Sequence, residues 1–291
     1  MSARARAPAL DADADAEACA ELLRRGDPDR LRTALAAGDK APRLLGLYAF
    51  NLEVARIASA AREPILAQMR LQWWRDALER LHAGGAAAGH PALAPLAEAM
   101  AAARLDRALF DRYLDARALD PEGPSFAEEG ALHAYLADTG GALMRLATRA
   151  LLDGADADAL AVADEAAAHM GWASAAANLT RALPALYARG AEPLPLDAPA
   201  DRAAMAEGRT PPALRPALAA LARAGLGRLA RARALRRRVP RAAAPAFLAG
   251  WEAERILRAA ARPDYDMFSG HQASEFRRRG SLALRALTGL W

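Results

Sequence analysis

A chain of 291 residues has room for one large domain or two ordinary ones, and a hydrophobic fraction of 54% against 25% charged excludes a disordered chain. Much of the apolar content is alanine, the strongest helix former. Aromatics are only 5% and β-branched runs are nearly absent, so the fold class is read as all-α. The formal charge is +4, almost all of it arginine beside a single lysine, Lys40, and no nucleic-acid-binding module accompanies it, so nucleic acid is not an expected partner.

From the N-terminus, Arg4 and Arg6 are followed by Asp11, Asp13, Asp15 and Glu17 rather than by an apolar core. This is not the pattern of a signal peptide, and residues 1–15 read as a flexible tail. Cys19 stands alone, which excludes an internal disulfide and fits a reducing cytoplasm. Gly38 to Pro42 introduces a helix through about Ser59, and Glu63-Pro64 opens another that runs to His82 and stops at Gly84-Gly85. His90-Pro91 begins a helical pair reaching Leu119, and Asp120 to Pro124 turns the chain. Helices are then expected over Phe126–Leu152, with Gly140-Gly141 inside, and over Asp156–Tyr187. A proline-rich connection spans Gly190–Pro199, and further helices follow over Thr210–Arg238, Pro245–Ala260 and Gln272–Leu290. No uncharged apolar run reaches the roughly 18 residues a membrane span needs. No repeat or long Gly/Ser linker divides the chain, so residues 1–291 are expected to form a single domain.

Four blocks give this chain a likeness. They are Leu47-Tyr48-Ala49-Phe50-Asn51-Leu52-Glu53-Val54-Ala55-Arg56; Met69-Arg70-Leu71-Gln72-Trp73-Trp74-Arg75-Asp76; Tyr135 to Gly141 with its Thr139-Gly140-Gly141; and Gly171-Trp172-Ala173 through Asn178-Leu179-Thr180-Arg181. In this order, over about residues 30–200, they resemble the squalene/phytoene synthases. The resemblance implies an isoprenoid-synthase-like helical bundle around a central cavity. In active members, aspartates on two facing helices hold Mg²⁺, which holds the substrate diphosphate. Aligned on Tyr48 and Phe50, the first set of aspartate positions falls on Ala55, Arg56 and Ser59, and the second on Ala182 and Ala185. Methyl, hydroxyl and guanidinium groups stand where the resemblance calls for oxygen ligands.

Helical projection still gathers two faces. Tyr48, Ala55 and Ser59 share one sector, and Gly171, Ala175, Asn178, Ala182 and Ala185 recur at spacings of 4, 3, 4 and 3 on another helix. Tyr48, Asn51, Ala55, Ser59, Arg70, Asp138, Thr139, Gly141, Asp164, Gly171, Ala175, Asn178, Arg181 and Ala182 are therefore the candidate cavity or ligand-lining residues, with no catalytic residue assigned. Asp164 and Asp138 are weighed as substitute acids against plain solvated or capping carboxylates. Arg70 is weighed as a phosphate-binding fork against a buried ion pair with Glu53 or Asp138. Trp73 and Trp74 read as core, Arg75 and Glu79 as an i,i+4 pair. The five histidines have no metal-ligand spacing.

The basic run Arg228 to Arg241, interleaved with Leu226, Leu229, Leu235 and Val239, and the tail from Phe276 to Trp291 could meet an anionic membrane. The pattern of Ala49 to Ala55 and Arg70 to Trp73 resembles the family branch that includes a mitochondrial complex I assembly factor. The expected function is therefore non-catalytic: binding a lipid or isoprenoid, or a respiratory-complex subunit, at the cytoplasmic face of a membrane, with no cofactor. The alternative is an active Mg²⁺-dependent head-to-head prenyl transferase.

Overall fold

A computed structural model describes residues 7–61, 63–269 and 275–291. Among these the regular elements are helices and turns, without a strand. The first group is α1 (Ala7–Gly26), α2 (Pro28–Leu35), α3 (Ala41–Ala60), α4 (Pro64–His82), α5 (Leu93–Ala103) and α6 (Arg107–Arg117). Next come α7 (Glu129–Leu136), a π-helical turn (Ala137–Gly141), α8 (Ala142–Leu151) and α9 (Ala157–Tyr187). The last are α10 (Pro199–Ala206), α11 (Leu214–Leu235), α12 (Ala244–Leu248), α13 (Ala253–Ala260) and α14 (Glu275–Thr288).

Local chemistry sets many of these starts. Asp27, Asp106 and Asp156 accept hydrogen bonds from the Arg30, Ala108 and Ala159 amides, capping α2, α6 and α9. Prolines occupy the first turns of α2, α3, α4, α10 and α12, where a missing N–H is harmless. The tail expected over residues 1–15 is already helical from Ala7, and α1 is anchored by buried Cys19 and Leu23. The helix expected over Pro245–Ala260 is interrupted at residues 249–252, separating α12 from α13.

Two apolar clusters share the molecule. One joins α1–α6 and α8, with Phe50 at its centre in edge contacts with Trp74 (5.1 Å) and Phe110 (5.8 Å). The other joins α9, α11 and α13 around Trp172. α8 feeds both: Leu143 and Leu146 belong to the first, Met144 to the second. At 31 residues, or about 46 Å, α9 is the long axis against which α8, α11, α13 and the π-helical turn all pack. Backbones meet closely there. A Cβ on Gly140 would lie 2.6 Å from the Gly171 carbonyl oxygen, so only glycine lets the turn rest on α9.

The basic run is not a free amphipathic helix. Leu229, Ala232 and Val239 are buried, Leu226 and Leu235 half-buried, and Arg228 stacks over the Trp172 indole at 4.5 Å. Its arginines reach solvent, but its apolar face is spent on the core. In the C-terminal segment Leu282 and Trp291 are buried, Trp291 stacking on Phe247 at 4.1 Å. Residues 270–274 and the side chains of 275–279 lie outside the described part.

Candidate functional site

A cavity of about 280 Å³ opens between α3 and α9, closed at its sides by the end of α6, the following turn, α7, the π-helical turn and α8. α3 supplies Tyr48, Asn51, Ala55, Ala58 and Ser59; α9 supplies Gly171, Ser174, Ala175, Asn178, Leu179, Ala182 and Leu186. The helical period forces this: residues three and four apart share a face, and the two stripes look at each other. Phe126, Leu136, Leu143 and Met144 give the interior an apolar wall, while Thr139 and Gly140 come from the π-helical turn.

Of the sequence candidates, Tyr48, Asn51, Ala55, Ser59, Thr139, Gly171, Ala175, Asn178 and Ala182 meet at this cavity. The other five do not. Arg70 is exposed on a separate shallow groove with Glu53, Arg56, Trp73 and His90. Ala77 and Leu81, beside which projection places it, are buried, but Arg70 itself stands in solvent, so no buried ion pair with Glu53 or Asp138 forms. Asp138 is turned outward by the π-helical turn toward Arg112, at 4.0 Å. Gly141 is buried behind the lining, which Gly140 reaches instead. Asp164 sits where α9 has run past the cavity onto α8, clamped by Arg145 and Arg149, each at 2.6 Å. Arg181 faces an adjacent groove, bonding Asn178 Oδ1 and Glu252 Oε2, both at 3.1 Å. Ala185, the last member of the stripe, is exposed, as is Trp73, at 39%. Arg75 pairs with Asp115 at 2.8 Å, not with Glu79.

Charged groups that the sequence did not single out dominate the polar side. Arg117 donates to Asp120 Oδ2 (3.1 Å) and to the Tyr135 hydroxyl (3.2 Å), and that hydroxyl donates to Asp120 Oδ1 (2.7 Å). Burial opposes charge on Arg117, but Tyr113, Asp120 and Tyr135 outweigh it and keep it firmly protonated. Burial, and secondarily Asp120, drives the Tyr135 phenol up against the pull of Arg117. The Arg117 Nε is buried without a hydrogen-bond partner. So is the hydroxyl of Tyr48, a residue 1% exposed; burial pushes its phenol up to about 12. Thr33 is near it, but not in hydrogen-bonding geometry. The Asn51 amide is oriented to donate to the Tyr113 hydroxyl (2.8 Å) and accept from Arg30 Nη1 (2.7 Å). Arg30 also lies 5.7 Å from the Tyr48 ring centre and pairs with Asp27 at 3.1 Å. Arg189 completes the lining from the end of α9.

The lining therefore holds three guanidinium groups, Arg30, Arg117 and Arg189, and one carboxylate, Asp120, both of whose oxygens are engaged. A Mg²⁺-held diphosphate needs several free oxygen ligands around each ion, and this donor set does not fit it. Among the described residues no group of three His, Cys, Asp or Glu is placed to share a metal. What the set does fit is an anion met directly by arginines above an apolar chamber.

The squalene/phytoene synthase family profile matches residues 23–283. The mouse NADH dehydrogenase (ubiquinone) complex I assembly factor 6 is 28% identical over 255 residues, covering 86% of this chain and 75% of its own. Its human counterpart is 26% identical over the same length and coverage. Among solved structures, a squalene synthase from Alicyclobacillus acidocaldarius superposes with a TM-score of 0.69 at 20% identity, covering 86% of this chain and 94% of that one. A dehydrosqualene synthase in complex with ligand gives 0.73 at 15% identity, over 97% and 99%. At those identities the structural likeness is one of fold.

Proposed function

The chain belongs to the squalene/phytoene synthase family, and from that premise we propose that it acts by binding rather than by prenyl transfer, supporting the assembly of a respiratory membrane complex. The observation that carries this reading is the donor set of the cavity: arginines, and one carboxylate tied up by Arg117 and Tyr135. Ionisation of a diphosphate calls for positive charge placed where the leaving group's negative charge grows, and in the synthase mechanism the family resemblance implies, Mg²⁺ ions held by carboxylates would supply it. Here the fixed guanidinium groups can grip an anionic head while the apolar wall takes the chain behind it. The sequence relatives named above, complex I assembly factor 6 of mouse and of human, support the same reading.

The occupant would be an amphiphile with one anionic end, an isoprenoid or another lipid, retained without a divalent ion. Purified protein incubated with Mg²⁺ and farnesyl or geranylgeranyl diphosphate is expected to release no diphosphate above background. It is expected to bind such ligands equally well with chelator present, and Arg117→Gln should weaken binding about tenfold, the loss of one charge-assisted contact. Chelator-sensitive diphosphate release would instead establish the prenyl transferase. A deletion strain should show reduced NADH dehydrogenase complex, and unchanged respiratory complexes would refute the assembly role.

A further inference from the structure

Large apolar side chains left in solvent concentrate at one corner of the molecule. On the first half of α4, Ile65 is 61% exposed, Leu66 44% and Met69 63%, with Trp73 beyond them. Ile65, Met69 and Trp73 are four apart and share a face. Leu119, 47% exposed at the turn after α6, belongs to the same corner, because the Gln68 amide donates to the neighbouring Ala118 carbonyl at 3.3 Å. Farther along α4 that face becomes charged, with Asp76 and Arg80 exposed, so the apolar surface is confined to one end.

This end adjoins the cavity. Asp120, next in the chain to Leu119, lines it, and so does Ser59, just before the connection that leads into α4. Two exposed guanidinium groups, Arg56 and Arg70, flank the patch along the groove beside Trp73, and no ion pair holds either among the described residues. The acids of this corner include Glu53 in the groove, Glu63 ahead of α4, and Asp120 beside Leu119, whose oxygens are engaged by Arg117 and Tyr135.

We propose that this corner docks the protein on an anionic lipid bilayer, with Ile65, Leu66, Met69 and Leu119 entering the interfacial layer and Arg56 and Arg70 meeting lipid phosphates. Single exposed leucines need no explanation, but a group of five large apolar residues beside unpaired arginines does. Trp73, with an apolar ring and a polar N–H, suits the same depth. The basic run that ends α11 has charge but no free apolar side chain to insert, as its leucines face the core. A bilayer is favoured over a protein surface by position: the chamber next to the patch has an apolar wall, and an amphiphile for it would be drawn from a membrane. That last step rests on the proposed function; the docking does not.

The test is flotation of the full chain with vesicles of phosphatidylcholine alone and of equal parts phosphatidylcholine and phosphatidylglycerol, with no cavity ligand added. Binding is expected on the anionic vesicles and should be much weaker on the neutral ones. Met69→Asp and Ile65→Asp should each lower the bound fraction about tenfold, and Arg70→Glu should lower it on anionic vesicles only. Their helical circular dichroism should be unchanged, since most of each side chain lies in solvent. The double variant Arg237→Ala with Arg238→Ala should float like the parent. Absence of flotation, or flotation insensitive to Met69→Asp, overturns the proposal and leaves the patch to a protein partner; loss only in the Arg237/Arg238 variant overturns it in favour of α11. A Leu136→Trp variant, which narrows the cavity, should still float, so a failed ligand measurement and a failed docking measurement are distinguishable.

Discussion

Arg117 and Asp120 are informative at the scale of single residues because neither can be altered alone without stranding the other. Their side chains are only 20% and 16% exposed, and the Nε of Arg117 is already without a partner. Asp120→Asn is expected to destabilise the fold by about 2 kcal/mol, less than for a fully buried ion pair broken on one side, because some water still reaches both groups. Tyr48→Phe should cost almost nothing, within about 0.5 kcal/mol, since the hydroxyl it removes makes no hydrogen bond. Urea unfolding of the two variants side by side checks both values. None of the three cavity arginines was legible from periodicity. Arg117 ends one helix, Arg30 lies in the first turn of another and Arg189 follows the end of α9, and only tertiary packing brings them together beside the stripes on α3 and α9. The i,i+3 spacing of Arg117 and Asp120 ahead of Pro121 was the one available signal.

Helices were the more legible scale, where the period of 3.6 and the glycine and proline punctuation operate. The spans of α3, α4 and α9, and a stripe on each of α3 and α9, followed from these; that the two stripes face each other across a cavity was what the family resemblance implied. Where projection misled, the cause was tertiary: Arg70 stands in solvent although Ala67 and Leu71 of the same turns are buried, and α9 runs past the cavity, so Asp164 lands on α8. At Asp164, burial favours the neutral acid, but the bonds from Arg149 and Arg145 outweigh it and hold the carboxyl below its usual 3.8. A depressed carboxyl stabilises the fold above its unfolded pKa and loses that contribution as pH falls through the folded value. The stability gap between the parent and Asp164→Asn should therefore be full near pH 7 and shrink below about pH 4, as read from unfolding midpoints across that range.

Across the whole molecule, α8 ties the two apolar clusters together, as α12 does with Ala246 and Phe247, and the phase of α8 is set by the π-helical turn ahead of it. There the Ala142 amide reaches back five residues to the Ala137 carbonyl, one more than an α-helix takes. Sequence reading placed Gly140 and Gly141 inside a continuous helix, since a single surplus residue leaves no mark on hydrophobic spacing over so short a stretch. Its effect is a change of phase. Excising one residue from Ala137–Gly141 would rewind everything after it by about 100°. Arg145 and Arg149 would swing away from Asp164, and Leu143 and Met144 would no longer join the two separate apolar clusters. A single-codon deletion there should abolish soluble expression, whereas Asp138→Ala, at an outward-facing position of the same turn, should be tolerated. The chain thus keeps its two halves in step with one spare amino acid.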